Sequence, residues 1–511
     1  MRVFTTILEI VILTIVAWMV FPKLIFGMEF THILPGIRFT SNLSLKHLLQ
    51  LAVLIFIYAA MFINSGPGFL GASLSRLSPV VKTLALFILV FGVYLHVIPG
   101  HTGDNIPSKL IPISIVEEGN IDLDEFRYAI YRGHYYCMTK QNDHYYSTYP
   151  VYPGITVVPF YAAVKLIFPE KFDQWRQEYS QRNGDLLNGF AQSMHHYSAS
   201  LIASLAIVFF WLIANRLAVP AIISVPTTIA FAFGTPMMSS MAASIWTHSP
   251  SILFMLMAIF FSASRDENEQ TNTGLLLGGL CAAWAIACRP TGLVAGGFLA
   301  LYVLLKCRKR AVFFLIPLLL LLTVVTFLNL QMYDKIFGGY QGQVNHFAIP
   351  TVQRIFYLLM SPSRGLLTFV PCVILLIFFI PRISQKKVDL LTLSLLAAAG
   401  EVGIYSCWSV WWGGNCFGPR LLADCIMWCL LGIVAANRYS LPPQHLMAKM
   451  GWLGSIFLVA YSVCLHTTGA IYGDKNWDRD YLKRHQEALM HWKKSSIMWT
   501  LTDIRNNPNN D

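Results

Sequence analysis

The residues best placed to do chemistry begin at Asp104, which follows directly on an apolar run and opens the polar stretch His101-Thr-Gly-Asp104-Asn-Ile-Pro-Ser-Lys109. A carboxylate there could take a proton from a hydroxyl acceptor, acting as general base. It could equally cap or turn the chain into the helix that Pro107 and Gly119 bracket. Further acids follow at Glu117, Glu118 and Asp122. Four clusters then stand at the ends of apolar runs: Trp246-Thr-His248, Arg289-Pro-Thr-Gly292, Ser361-Pro-Ser-Arg364-Gly-Leu366, and Trp411-Trp412-Gly-Gly-Asn-Cys-Phe417-Gly-Pro-Arg420. Arg289, Arg364 and Arg420 each sit at a membrane edge, where charge is costly unless paired or useful. Convergent guanidinium forks suit a phosphate, because each makes two parallel hydrogen bonds. A single arginine could instead snorkel to lipid headgroups. Lys109 and His248 are weaker phosphate candidates on the same grounds. The glycines beside Arg420 call for a turned, packed backbone.

Aromatic residues accompany these groups. Tyr149 and Tyr152 lie in Tyr145-Tyr-Ser-Thr-Tyr149-Pro-Val-Tyr152-Pro-Gly, and Trp246, Trp411 and Trp412 lie in the clusters above. They read either as a belt at the water–lipid boundary or as walls for a sugar ring or prenyl chain. His195-His196 has no third ligand at metal spacing and reads as an interfacial hydrogen-bonding pair. Most of the ten cysteines fall in apolar segments, with no pair at zinc-ligand spacing. Cys137, and Cys407 with Cys416, fall in outer loops. Neither a Walker A sequence nor a Rossmann glycine pattern is present, so no nucleotide-sugar site is expected.

The elements that must position these groups are membrane helices. The chain of 511 residues is 55% hydrophobic and only 12% charged, against about 25% charged in a soluble domain. Apolar runs recur at about 3–26, 48–63, 83–99, 196–214, 220–235, 250–264, 274–288, 291–305, 311–330, 366–381, 388–405, 419–436 and 451–466. In lipid the backbone must satisfy its own hydrogen bonds, which such runs do as helices. The expected fold is therefore an all-α polytopic membrane protein with about 13 transmembrane helices. The first run is read as a retained helix rather than a cleaved signal. The net charge of +11 is dispersed in short loops, which excludes a nucleic-acid surface and gives topology instead. Arg2, Arg76, Lys82, Arg216, Arg265, Lys306–Arg310, Arg382, Lys386, Lys387, Arg438 and Lys449 share one side, as the positive-inside bias requires. The N-terminus is then cytoplasmic. Segments 100–195 and 331–365, both too polar to span, lie outside with the tail 467–511. Within 100–195, the apolar stretch Gly154–Phe168 is too short to cross and reads as an interfacial or re-entrant helix. Residues 1–466 form the expected transmembrane domain, with 100–195 its functional outer loop and 467–511 an extracytoplasmic tail.

In order, an acid opening the first large outer loop, a Tyr-Pro-x-x-Pro-Gly stretch, Trp-x-His, Arg-Pro-Thr, Ser-Pro-x-Arg-Gly-Leu and Gly-Gly-x-x-Phe-Gly-Pro-Arg-Leu resemble the C-type (GT-C) glycosyltransferase superfamily. The similarity is to members near the protein O-mannosyltransferases and aminoarabinose transferases, and it covers roughly residues 83–440. The resemblance implies a large first extracytoplasmic loop carrying juxtamembrane helices. It implies transfer of a sugar from a polyprenyl-phosphate carrier to an acceptor hydroxyl outside the cytoplasm, usually with inversion. The acceptor would be a lipid, a glycan or a protein, and the setting the plasma membrane, in bacteria the inner membrane. Carried over, Asp104 is the base, and Arg289, Arg364 and Arg420 hold the carrier phosphate. Relatives often show two adjacent acids where this chain has Asp104-Asn105, so Glu117, Glu118 or Asp122 are candidates for the second. A divalent metal is an open option; no other cofactor is expected. Two other readings fit the helices: a transporter or lipid flippase, for which Glu401 inside a predicted span is the best lead, and a polymerase or ligase of lipid-linked glycans.

Overall fold

A computed structural model describes residues 78–100, 102–127, 130, 136–181, 189–263, 270–382, 389–414, 416–437, 446–472 and 477–500. The predicted spans at 3–26 and 48–63, with Arg2 and Arg76, lie outside the described residues. The described chain is predominantly helical. Most of the predicted apolar runs among the described residues are α-helical, because nothing in those runs competes with the backbone for hydrogen bonds. In chain order the helices at these runs are α1 (Pro79–Tyr94), α6 (Phe190–Arg216), α7 (Ala221–Phe233), α8 (His248–Ser262), α9 (Asn272–Cys288), α10 (Leu293–Cys307), α11 (Val312–Tyr333), α13 (Leu390–Ser406), α14 (Ala423–Ala436) and α15 (Leu446–Tyr472). The run at 366–381 is a single turn, Leu366–Phe369, followed by a 3₁₀ stretch, Pro371–Arg382. Among the described residues, four stretches are long and apolar enough to cross a membrane: Phe190–Arg216, Ala221–Met241, Pro290–Tyr333 and Leu453–Ile471. The described chain is thus mostly helical, with stretches fit by length and composition to cross a membrane.

Burial separates the bundle into centre and rim. The apolar windows of Phe190–Arg216 and Ala221–Met241 are each 72% buried, whereas that of Pro290–Tyr333 is 22% buried. Ile316, Leu319, Leu320 and Phe327 of α11 are exposed. A helix apolar on its outer side needs lipid rather than water around it. Inside, α9 approaches its neighbours closely: a Cβ on Gly279 would collide with the Phe314 carbonyl of α11, and one on Gly278 with the Ser262 hydroxyl of α8. Small residues at a helix contact allow that approach.

The segment 100–195 folds onto one end of the bundle as α2 (Ile106–Glu117), α3 (Tyr152–Thr156), α4 (Val158–Ile167) and α5 (Pro169–Gln181). The apolar stretch at 154–168 breaks at Val157, leaving α4 with ten residues, about 15 Å, half of what a hydrocarbon core requires. Lys165 of α4 ties it to α2, donating to the Val116 carbonyl at 3.0 Å and pairing with Glu117 at 2.8 Å. The loop also holds a feature that the all-α expectation omits, the antiparallel hairpin β1 (Met138–Gln141) and β2 (His144–Ser147). Asn142 and Asp143 form its turn with φ of 51° and 64°, the left-handed pair that suits strand twist and that Asn and Asp tolerate. The second outer segment carries α12 (Val352–Met360).

At one end of the bundle Arg216 donates to the Phe260 carbonyl at 2.5 Å, and Arg310 donates to Asn272 Oδ1 at 2.9 Å. At the other end lie Asp104, Trp246, Arg289 and Arg420.

Candidate functional site

Asp104 sits in the 3₁₀ turn Gly103–Asn105 that leads into α2. Its Oδ1 accepts hydrogen bonds from the hydroxyls of Tyr136 and of Tyr149, the latter at 2.8 Å. Its Oδ2 lies 3.6 Å from Nη2 of Arg420. The side chain makes no capping bond to α2. Asn105 holds the cap position, and its amide is buried and donates to Ser244 Oγ at 2.8 Å. Where a second acid would follow Asp104, this chain therefore has a group that faces away into a polar cluster. That cluster is completed by His195, whose Nε2 lies 2.7 Å from Ser244 Oγ and accepts from the Ile245 N–H at 3.1 Å. An accepting Nε2 requires the neutral ring. His196 bonds separately, its Nε2 3.2 Å from the Leu95 carbonyl.

Arg420 is buried at the start of the turn Arg420–Leu422 that precedes α14. Its Nη2 also donates to the Gly413 carbonyl, and its guanidinium lies 3.7 Å above the Trp246 ring. Among the described residues, Nε and Nη1 have no hydrogen-bond partner. A buried donor left unmet costs about 1–3 kcal/mol, and more when charged. Two such donors beside a carboxylate make a site that an incoming anion would stabilise. Gly413 and Gly414 adopt φ of 76° and 67°, a left-handed pair that turns the intervening carbonyls toward arginines on either side.

Tyr340, in the second outer segment, joins the parts. Burial pushes its phenol up, while the charges of Arg289, Asp104 and Arg420 all reach it. Its ring lies 6.0 Å from that of Tyr149. The Tyr136 and Tyr149 hydroxyls are likewise pushed well above the ordinary tyrosine value, first by burial and then by the charge of Asp104. They stay protonated and remain donors to the carboxylate. The sequence singled out neither Tyr136 nor Tyr340. Their only signal was membership in tyrosine-rich outer segments.

The other candidates separate on geometry. Arg289 is buried with its charge met: it bonds Asp424 and Tyr405, Thr291 Oγ1 at 2.9 Å and the Leu421 carbonyl at 3.1 Å. It brackets α9 to α14, with Glu401 in electrostatic reach of the pair. Arg364 is also engaged by the protein, through the carbonyls of Trp412 at 3.2 Å and Ser363 at 2.8 Å and through Ser496 Oγ at 3.3 Å. Lys109, on α2, is buried and donates to Gln192 Oε1 at 2.5 Å. His248 begins α8, buried, with Nε2 unpartnered. Trp411 packs on Tyr357, ring centroids 5.3 Å apart, and against Trp412. Tyr149 and Tyr152 line a cavity of about 170 Å³ whose far wall is Leu322, Val325 and Phe337. It is mostly apolar, and it meets the polar site at Tyr149.

The proposed second acids stand in other surroundings. Glu117 ends α2, thirteen residues beyond Asp104 in the sequence, roughly 20 Å at a helical rise of 1.5 Å per residue. It is neutralised there by Lys165 and Arg176. Glu118 is exposed just beyond it, and Asp122 follows. Among the described residues one group could ligate a cation: Asp122, Asp124 and His144, whose ligand atoms lie within 4.8 Å of one another. Asp124 already serves the hairpin, accepting from the Tyr145 N–H at 2.9 Å and lying 2.7 Å from His144 Nδ1. All ten cysteines are free, including Cys137, Cys407 and Cys416.

Fold and site together define a helical bundle with membrane-length apolar stretches and a carboxylate–guanidinium pair in a tyrosine-lined recess at one end. No family model and no curated protein matches the chain.

Proposed function

We propose that this protein is an integral-membrane glycosyltransferase that moves a sugar from a polyprenyl-phosphate carrier to an acceptor hydroxyl on the extracytoplasmic face. The full architecture in this reading is about 13 transmembrane helices of the C-type glycosyltransferase kind, with the N-terminus cytoplasmic. The observation that carries it is the pairing of Asp104 with an arginine that keeps two buried donors unmet. That combination suits a reaction in which a proton leaves one group while negative charge grows on another. The acceptor hydroxyl gives its proton to Asp104, and its oxygen forms a bond to the anomeric carbon. The bond from that carbon to the carrier phosphate breaks, and the phosphate leaves with the electron pair toward Nε and Nη1 of Arg420. Donors fixed before the charge develops are worth more in such a recess than in water. Tyr136 and Tyr149 orient the carboxylate, and the apolar cavity beyond Tyr149 suits the first part of a prenyl chain.

Orientation supports the same reading. Lys306, Arg308, Lys309 and Arg310 stand at the end of α10 opposite its start beside Arg289, as cytoplasmic basic residues would. The decisive experiment uses the purified full chain in lipid nanodiscs with a radiolabelled polyprenyl-phosphate sugar and lipid, glycan and peptide acceptors. Transfer to one acceptor with inversion, lost in Asp104→Asn, supports the assignment. Movement of unmodified substrate across proteoliposomes without transfer would establish transport instead, and products of many sugar units would establish a polymerase.

A further inference from the structure

The Ser361-Pro-Ser-Arg364 cluster has a duty that the phosphate-binding expectation did not contain. The C-terminal segment 477–500 is seated on it. Ser361 Oγ donates to the Leu489 carbonyl at 2.6 Å, and Ser363 Oγ donates to the Ala488 carbonyl at 3.3 Å. Returning bonds come from the Ser496 N–H to Ser363 Oγ and from Ser496 Oγ to the Ser363 carbonyl, both at 3.3 Å. Trp477 is fully buried, its ring 5.1 Å from the Arg364 guanidinium and its indole N–H donating to the Lys494 carbonyl at 2.9 Å. Ser361, Ser363, Arg364, Ser495 and Ser496 are all buried. A buried guanidinium with carbonyls and a hydroxyl on its fork and an indole on its face is a structural bracket, since each partner meets a donor that burial would otherwise leave wanting.

Arg364 also reaches the turn that faces Arg420. It donates to the Trp412 carbonyl at 3.2 Å and the Gly414 carbonyl at 3.5 Å. The carbonyl between them, that of Gly413, accepts from Arg420. The three successive carbonyls are thus divided between two arginines. Gly413 and Gly414 are left-handed, so the turn has little rigidity of its own and takes its shape from what holds it.

We infer that Arg364 is a positioning residue: it couples the C-terminal segment 477–500 to the Trp412–Gly414 turn and, through the Gly413 carbonyl, aims the Arg420 guanidinium at Asp104. The segment is a built-in buttress of the site. The inference deepens the reading of Arg420 as the phosphate-binding group and rests on it only for its kinetic arm.

The test uses the full chain in nanodiscs with Arg364→Gln, Arg364→Lys and Ser496→Ala. Amide hydrogen exchange reads the buttress directly. In Arg364→Gln, peptides from 477–500 and from 408–414 should both exchange about tenfold faster or more, with Ser496→Ala intermediate. In the transfer assay Arg364→Gln should lower kcat about tenfold or more with the donor KM within about twofold, and Arg364→Lys should recover part of the loss. Arg420→Gln should by contrast raise the donor KM. Unchanged protection of both peptides in Arg364→Gln would overturn the inference. So would a donor KM raised as far as in Arg420→Gln, the signature of a phosphate ligand. Should wild type transfer no sugar, the functional reading fails by itself, and the exchange result still decides the coupling. Should Arg364→Gln not fold, Ser496→Ala removes a single hydroxyl and carries the same exchange test.

Discussion

Asp104→Asn keeps the shape of the side chain and removes its charge. The amide oxygen can still accept from Tyr136 and Tyr149, but the position facing Arg420 becomes an amide or remains an uncharged oxygen. At the 3.6 Å separation of Asp104 Oδ2 and Arg420 Nη2, two unit charges attract by about 5 kcal/mol at an effective dielectric of 20. Asp104 is about a quarter exposed, with a side-chain accessibility of 26%, so solvent screening leaves about 1 kcal/mol. Loss of that pairing should lower the midpoint of thermal unfolding by a few degrees without preventing insertion. The chemical loss is larger, because the acceptor proton no longer has a base to take it, and general-base removal costs roughly 10²–10⁴ in rate. The assay is single-turnover transfer in nanodiscs with donor saturating, beside a thermal unfolding scan of the same preparation. A variant that turns over within about threefold of wild type would remove Asp104 from the reaction. A rate loss accompanied by collapse of the protein would show instead that the pair is structural.

The other predictions address separate parts of the site. Tyr149→Phe removes one donor to the Asp104 carboxylate and should lower kcat about threefold to tenfold, the scale of one hydrogen bond, read in the same transfer assay. Because Tyr136 and Tyr149 are held protonated in the folded protein, the unfolded chain loses their protons first as pH passes about 10. The folded state then binds more protons than the unfolded state, so stability should fall across that window, and less steeply in the double variant Tyr136→Phe/Tyr149→Phe. Glu117→Gln should leave transfer within about twofold, because its partners are Lys165 and Arg176 rather than the groups around Asp104. Gly413→Ala should reduce transfer more than Gly414→Ala. Both place a side chain at left-handed φ, at about 1–2 kcal/mol, but only at Gly413 does the added Cβ press on Leu421, at 2.9 Å.

The sequence alone determined the solvent. Long apolar runs interrupted by short charged loops push the backbone toward helix, and most of the described runs are α-helical, that at 366–381 being a single turn and a 3₁₀ stretch. It also marked Asp104 and Arg420, since a carboxylate and a guanidinium at the edges of apolar segments must find partners. What it could not determine was which partners. Arg289, Arg364 and Arg420 look alike along the chain, each at a helix edge beside glycine or proline. Only the packing shows that Asp424 answers Arg289, that the C-terminal segment occupies Arg364, and that Arg420 keeps two donors unmet. Glu117, Glu118 and Asp122 were equally undecided. A helical rise carries Glu117 away from Asp104, Glu118 follows it, Asp122 stands with Asp124 and His144, and burial turns Asn105 toward Ser244. Tyr136 and Tyr340 were invisible because a tyrosine in an outer loop has no periodicity to betray its direction. The hairpin at 138–147 escaped for a related reason, its turn resting on two left-handed residues that are not glycine. Periodicity and hydropathy report where the backbone can lie. Which polar groups meet is decided by contacts between residues distant in sequence, and these are set only when the helices pack.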